Sequence, residues 1–339
     1  MSDLPSTMHA WQVVRHGDPA YALERREVSV PRPGPGQLVA RVAACALNYP
    51  DTMLAAGTYQ QRPELPFTPG IELSGHVAAV GDGVTDHAVG DRVLGLPALP
   101  HGALADYAVM SADTAFAAPE SLDDAKASAL YVAYQTGWFG LHRRARLQAG
   151  ETLVVHAATG GVGSAAVQLG LAAGARVVAV VGGPDKAEVA WWLGADEVVD
   201  RHAAGDLAGL VGALKAACGP HGADVVYDPV GGDAFAASTK VVAFEGRIVV
   251  VGFTSGTAAQ AATNHALIKN YSVLGLHWGL YQQHDPAAVQ HAQREIHELV
   301  AAGLVDPWVS ERIGPDDVPD ALSRLAAGRT TGRVVVVGA

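Results

Sequence analysis

The sequence predicts an α/β protein in which a doubly wound parallel sheet is inserted into a β-rich lobe. Three observations carry this expectation. The first is a short apolar strand, Thr152–His156, that runs into Ala157-Ala158-Thr159-Gly160-Gly161-Val162-Gly163-Ser164 and then into a small-residue helix. The second is a set of near-continuous Val/Ile runs at Ala175–Val181, Asp224–Tyr227 and Arg247–Val251, the pattern of strands buried on both faces. The third is a change of texture. Residues 9–115 alternate short apolar runs with Pro/Gly/Asp turns, helices and strands alternate from about Leu130, and the pattern turns mixed again beyond about 265. The expected division is therefore 1–130, 131–264 and a return segment, 265–339.

The elements follow in order. Gln37–Val42 and Gly75–Val80 read as strands, with the Pro31–Gly36 stretch as a turn. After the Thr152–His156 strand and its helix comes the strand Ala175–Val181, which closes a βαβ unit. Next are a helix near Lys186–Leu193, a strand at Glu197–Val199, the runs at 224–227 and 247–251, a long helix around Ala287–Ala302 and a terminal strand, Arg333–Val337.

The glycine turn has a chemical meaning. So tight a bend lets backbone N–H groups and a helix N-terminus reach a pyrophosphate. Ala158 stands where the G-x-G-x-x-G spacing has its first glycine, while Gly160 and Gly163 keep the second and third. With 39 glycines in the chain, such a match alone is weak. The strand before it, the helix after it and the second strand make it a dinucleotide site, with Thr159, Gly160, Gly161 and Val162 at the phosphates.

Bulk composition narrows the function. At 339 residues, 49% hydrophobic and 17% charged, the chain suits about two domains with large cores, not disorder. No apolar run approaches the roughly 20 residues of a membrane helix, and Met1-Ser2-Asp3-Leu4-Pro5 leads into no hydrophobic block, so neither membrane insertion nor secretion is expected. A formal charge of −11 disfavours nucleic acid as a partner. Cys45 and Cys218 are the only cysteines; a disulfide is not expected, the count suits a reducing cytoplasm, and two thiols cannot make a four-thiolate zinc site.

Several segments together resemble the medium-chain dehydrogenase/reductase superfamily, in its zinc-free quinone oxidoreductase branch. They are Asn48-Tyr49-Pro50-Asp51 with Gly57-Thr58-Tyr59, Pro69-Gly70-Ile71-Glu72-Leu73-Ser74-Gly75, Val89-Gly90-Asp91-Arg92-Val93 and Gly102-Ala103-Leu104-Ala105-Asp106-Tyr107. The second half adds the glycine turn, Asp228-Pro229-Val230-Gly231-Gly232, Val251-Gly252-Phe253-Thr254-Ser255-Gly256, and Lys269-Asn270-Tyr271 leading to His277-Trp278-Gly279. The resemblance implies a GroES-like β-rich catalytic domain with an inserted Rossmann domain, and commonly a homodimer paired along an edge strand, for which Arg247–Phe253 is a candidate. Zinc-dependent relatives carry metal ligands where this chain has Asn48, Ile71 and Val132. Two of these side chains cannot coordinate, so no metal is expected.

The cofactor expected is NADPH. The strand end Val181-Gly182-Gly183 lacks the carboxylate that NAD-specific domains use on the ribose 2′-OH. The resemblance places Lys186 at a phosphate-binding position. Relatives have serine at Gly182 and tyrosine at Arg201, so a hydrogen bond is lost and a cation gained. The resemblance also implies Thr136 at the nicotinamide end, Val251, Gly252 and Phe253 beneath the ring, His277, Trp278 and Gly279 near the carboxamide, and Arg333 as a further contact. Asn48 and Tyr59 are expected to line the substrate pocket, with Asp51 either bonding the cofactor ribose or bracing its loop. Tyr59 or solvent would supply the proton. The expected reaction is hydride transfer to a quinone or α,β-unsaturated carbonyl. The alternatives are reduction of acrylyl or enoyl thioesters or haloacrylates, and non-catalytic NADPH binding.

Overall fold

The structure, a computed structural model, describes residues 4–338. They group into two units. One extends to Val132 and resumes at Pro307; the other is Ala133–Asp306. The return at 265 expected from the sequence therefore falls too early. Residues beyond it add a further strand to the parallel sheet, and the helix Pro286–Ala301 is tied to Gln135 by a bond from Gln135 Nε2 to the Val289 carbonyl at 3.0 Å.

In the first unit, β1 (Thr7–Val13) and β2 (Leu23–Ser29) form an antiparallel ribbon. Next, β3 (Gln37–Ala46), β4 (Leu73–Val80), β5 (Arg92–Pro97) and β6 (Tyr107–Ala117) pair in sequence, all antiparallel. A further pairing, Gln37–Arg41 on Tyr107–Ser111, closes these four strands on one another. Their inner faces bury Leu38, Val42, Leu73, Val77, Val93 and Met110. Closure leaves these strands no free edge, which suits apolar segments this short.

The second unit is a six-stranded parallel sheet of β7 (Thr152–His156), β8 (Arg176–Val181), β9 (Glu197–Asp200), β10 (Ala223–Asp228), β11 (Val242–Val250) and β12 (Ser272–Gly275). The chain enters at β7 in the middle, winds out to β9, crosses back to β10 beside β7 and winds out to β12. All five residues of β7 are buried, which explains its unbroken apolar run. The reversal between β7 and β10 is a topological switch point, where such sheets bind ligands. The expected edge at Arg247–Phe253 is corrected here. β11 is paired on both sides, and β12 is the edge, because Ser272–Gly275 hydrogen-bonds to Arg247–Val250.

Back in the first unit, β13 (Val309–Ile313) and β14 (Arg333–Val337) extend the antiparallel sheet, with Val335 opposite Ala46. The Leu47 N–H donates to the Val334 carbonyl at 2.9 Å, so Arg333 arrives beside Asn48. Among the described residues no helix is long and apolar enough to cross a membrane.

Candidate active site

β3 ends at Ala46, and Asn48 caps the helix Tyr49–Ala56, so the backbone turns sharply there. Around that turn the first unit builds a buried polar network. Arg333 donates from one terminal nitrogen to Asn48 Oδ1 at 2.8 Å and from the other to Glu72 Oε2. Asn48 Nδ2 donates to Glu72 Oε2 at 2.9 Å and to the Ala46 carbonyl at 3.0 Å. The Val132 N–H donates to Glu72 Oε1 at 2.7 Å. Burial pushes the Glu72 carboxyl up, against the opposing pull of the Arg333 charge. Arg333 Nε is buried without a partner.

This geometry bears on two expectations. Both amide hydrogens of Asn48 are spent inside the network, so it has no donor left for a substrate carbonyl. Arg333 is 4% exposed, with its terminal nitrogens engaged by Asn48 and Glu72. Of the two roles open to Asp51, the geometry fits the bracing one. Its Oδ2 accepts from the Asn48 N–H at 2.8 Å, and its Oδ1 from the N–H groups of Gly70 and Ile71 at 3.0 and 3.2 Å. The side chain is fully buried, and burial pushes its carboxyl up to about 7 despite those donors. Glu72 likewise braces the first unit.

Tyr59 is half-buried against the first unit's core, and its hydroxyl forms no hydrogen bond among the described residues. Burial first, then the charge of Asp51, pushes the phenol up, so it keeps its proton at neutral pH. At the positions of relatives' metal ligands, Ile71 is aliphatic and Val132 contributes only its backbone N–H. Among the described residues no three His, Cys, Asp or Glu side chains converge as a metal site.

In the second unit, Gly160 caps the helix Gly161–Ala172 at the end of β7, with Thr159 buried beside it. Gly161 and Val162 form the first turn. The glycine this turn needs most is Gly163, where a β-carbon would lie 2.1 Å from the Ala157 carbonyl oxygen; at Gly160 the nearest atom is 3.2 Å away. Ala157 itself takes φ +48°, the left-handed bend usually given to glycine. A helix N-terminus packed this close to its strand fits a pyrophosphate.

The end of β8 brings together Gly182 and Arg201, whose Nε lies 3.2 Å from a β-carbon built at Gly182. Lys186 sits on the helix Pro184–Trp192, its ammonium held below the usual range by burial and then by the Arg201 charge. His202 joins this group, and sequence reasoning missed it because nothing local distinguishes it from a surface histidine. Residues 251–255 are hung on the turn after β10 by bonds from the Val251 N–H to Asp228 and the Thr254 N–H to Pro229. That places Phe253, 46% exposed, within 3.0 Å of a β-carbon built at Gly231, with Gly252 over Pro229. Thr136 is buried on the helix Tyr131–Trp138. Trp278 is buried in the short turn Trp278–Leu280 and donates from its indole to Gln135 Oε1 at 3.4 Å, with His277 and Gly279 packed beside each other. Nothing local in the chain marks Gln135, whose partners lie over a hundred positions away.

A closed antiparallel barrel with a parallel sheet carrying this turn defines an oxidoreductase of the nicotinamide-dependent class. The Alcohol dehydrogenase GroES-like domain matches residues 34–120, and the Zinc-binding dehydrogenase family matches 161–294. The chain is 36% identical to quinone oxidoreductase-like protein 2 of Bos taurus over 312 residues, 91% of this chain and 88% of that one. A quinone oxidoreductase structure from Pseudomonas syringae superposes with TM-score 0.87 at 31% identity, covering 98% of this chain and all of the other. A mycobacterial structure complexed with NADPH gives TM-score 0.89 at 28% identity, covering 98% of this chain and all of that one. The chain belongs to the medium-chain dehydrogenase/reductase superfamily, in its zinc-free quinone oxidoreductase branch.

Proposed function

We propose that this oxidoreductase uses NADPH to reduce quinones or related α,β-unsaturated carbonyls without a metal. The observation that carries the reading is the guanidinium of Arg333 on Glu72 and Asn48, a fixed internal cation bonded to one of the positions where zinc-dependent relatives carry a ligand and next to a second, Ile71. Bound NADPH would supply a hydride. The chain's own residues bind, orient and protonate. The turn Thr159–Val162 would hold the pyrophosphate, and Gly182, Lys186 and Arg201 the 2′-phosphate. Thr136, Val251–Phe253 and His277–Gly279 would orient the nicotinamide end. Asp51, Asn48 and Glu72 act through others, keeping the 48–59 segment rigid, while Tyr59 offers its phenolic proton to the reduced oxygen. A quinone needs little more, because it is already electrophilic and orientation supplies much of the barrier lowering. Following NADPH absorbance with phenanthrenequinone, then with crotonyl-CoA, tests this; turnover of the thioester alone would displace the quinone reading, and no turnover of either would leave a binder.

We further read the chain as a cytoplasmic homodimer. Both cysteines are free and buried, as a reducing compartment allows. The edge strand β12 exposes Ser272, Val273 and Gly275, and the preceding helix exposes Leu267 and Ile268 at 77% and 74%. Pairing of two such edges would cover all of them.

A further inference from the structure

We infer that His202 is a specificity-determining residue that, with Arg201, grips the ribose 2′-phosphate over Gly182. The inference rests on the NADPH reading above and adds a residue to it. A β-carbon built on Gly182 would lie 3.1 Å from both Cε1 and Nε2 of His202 and 3.2 Å from Nε of Arg201. The imidazole and the guanidinium therefore converge on one point at the end of β8. The space a side chain at 182 would take is the space these two groups occupy, so the glycine and the pair are coupled choices.

Asp200 builds the scaffold for this arrangement. Its Oδ1 accepts the N–H of Gly183 at 2.8 Å and the N–H of His202 at 2.9 Å, so one oxygen locks the two backbones together. Those donors, Gly183 first, hold the Asp200 carboxyl below its usual range. Lys186 comes from the neighbouring helix and feels the Arg201 charge. Arg201 has no carboxylate partner among the described residues. A guanidinium and an imidazole meeting at one point suit an anion with several acceptor oxygens, which a phosphate monoester has and a ribose hydroxyl does not.

Calorimetric titration of the full chain with 2′,5′-ADP and with 5′-AMP tests this without catalysis. The unsubstituted protein should bind 2′,5′-ADP more tightly. His202→Ala, at an exposed position that leaves the fold intact, should lose roughly threefold to tenfold in affinity for 2′,5′-ADP and keep that for 5′-AMP. Gly182→Ser should show the same selective loss, and the double variant little more than either alone, because one displacement underlies both. Unchanged 2′,5′-ADP affinity in His202→Ala, with a loss in Lys186→Ala, would overturn the role of His202 and leave the NADPH reading standing. Equal losses for both nucleotides would reduce His202 to a structural residue. No preference for 2′,5′-ADP in the unsubstituted chain would overturn the NADPH reading itself.

Discussion

Arg333 on the last strand is hydrogen-bonded to Glu72, 261 positions earlier, and both side chains are buried. The pair ties the C-terminal strand to the loop before β4, and Asn48 bridges the two charges. Breaking such a pair leaves an unmatched charge out of water, a larger loss than the pair's net contribution. Arg333→Met is expected to destabilise the protein by about 3 kcal/mol or more. Adding Glu72→Gln should recover much of that. Urea unfolding at neutral pH reads both; a double variant no better than the single would show that packing, not charge, holds Arg333.

Asp51 gives the protein a pH signature. Its folded-state carboxyl is pushed up to about 7 by burial, while an unfolded aspartate titrates near ~3.9. The folded state then binds the extra proton between those values, so this group's contribution is full below the lower value and is lost as pH rises through 7. The urea midpoint should fall between pH 5 and 7, and Asp51→Asn, though less stable overall, should flatten that slope. Parallel slopes in the two proteins would assign the effect elsewhere.

At Gly163 there is no room for a methyl group. The obstructing atoms are backbone, with the Ala157 carbonyl carbon at 2.8 Å and Ala158 Cα at 2.9 Å from a built β-carbon, and neither can step aside. Gly163→Ala should weaken NADPH binding on the order of tenfold, as the helix start is pushed off its strand. Gly160→Ala, with more space, should cost clearly less. Fluorescence titration of the bound nicotinamide distinguishes them; equal effects would mean the turn tolerates neither or both for another reason.

Tyr59→Phe separates the two sources of the proton. With its hydroxyl unbonded inside the protein, the phenylalanine variant should fold as before and bind NADPH equally. Turnover of a quinone is expected to slow by about tenfold to a hundredfold if the phenol donates. Unchanged turnover would give the proton to water.

The edge strand makes the association state a further measurement. Val273→Lys places a charge on β12, where edges are commonly protected. Light scattering of the unsubstituted chain should give twice the chain mass, and the variant the mass of one chain. A monomer in both would end the dimer reading.

Much of the architecture was legible because its signals are local. A buried parallel strand must be apolar throughout, and a turn that touches a helix start must be small, so β7, its turn and the next helix are visible in one window of sequence. The gain of a cation at 201 with the loss of a side chain at 182 was readable only through the resemblance to relatives. What could not be read was which residues saturate one another. Asn48 reads locally as a donor for substrate, and only the pairing of β3 with β4, which brings Glu72 beside it, shows both its hydrogens committed. The return to the first unit was misplaced because the strand at 272–275 is four residues long with three of them exposed, too weak a pattern to reveal its place in the sheet.

The sequence by itself determined the β-rich and parallel-sheet units, the glycine turn and the absence of a 2′-OH carboxylate, since each depends on near neighbours in the chain. The tertiary structure alone decided the Arg333–Glu72–Asn48 network, the bracing place of Asp51, the edge at β12 and the convergence of His202 with Arg201 over Gly182. These are contacts between distant segments, fixed by strand register and burial, and no periodicity along the chain encodes them.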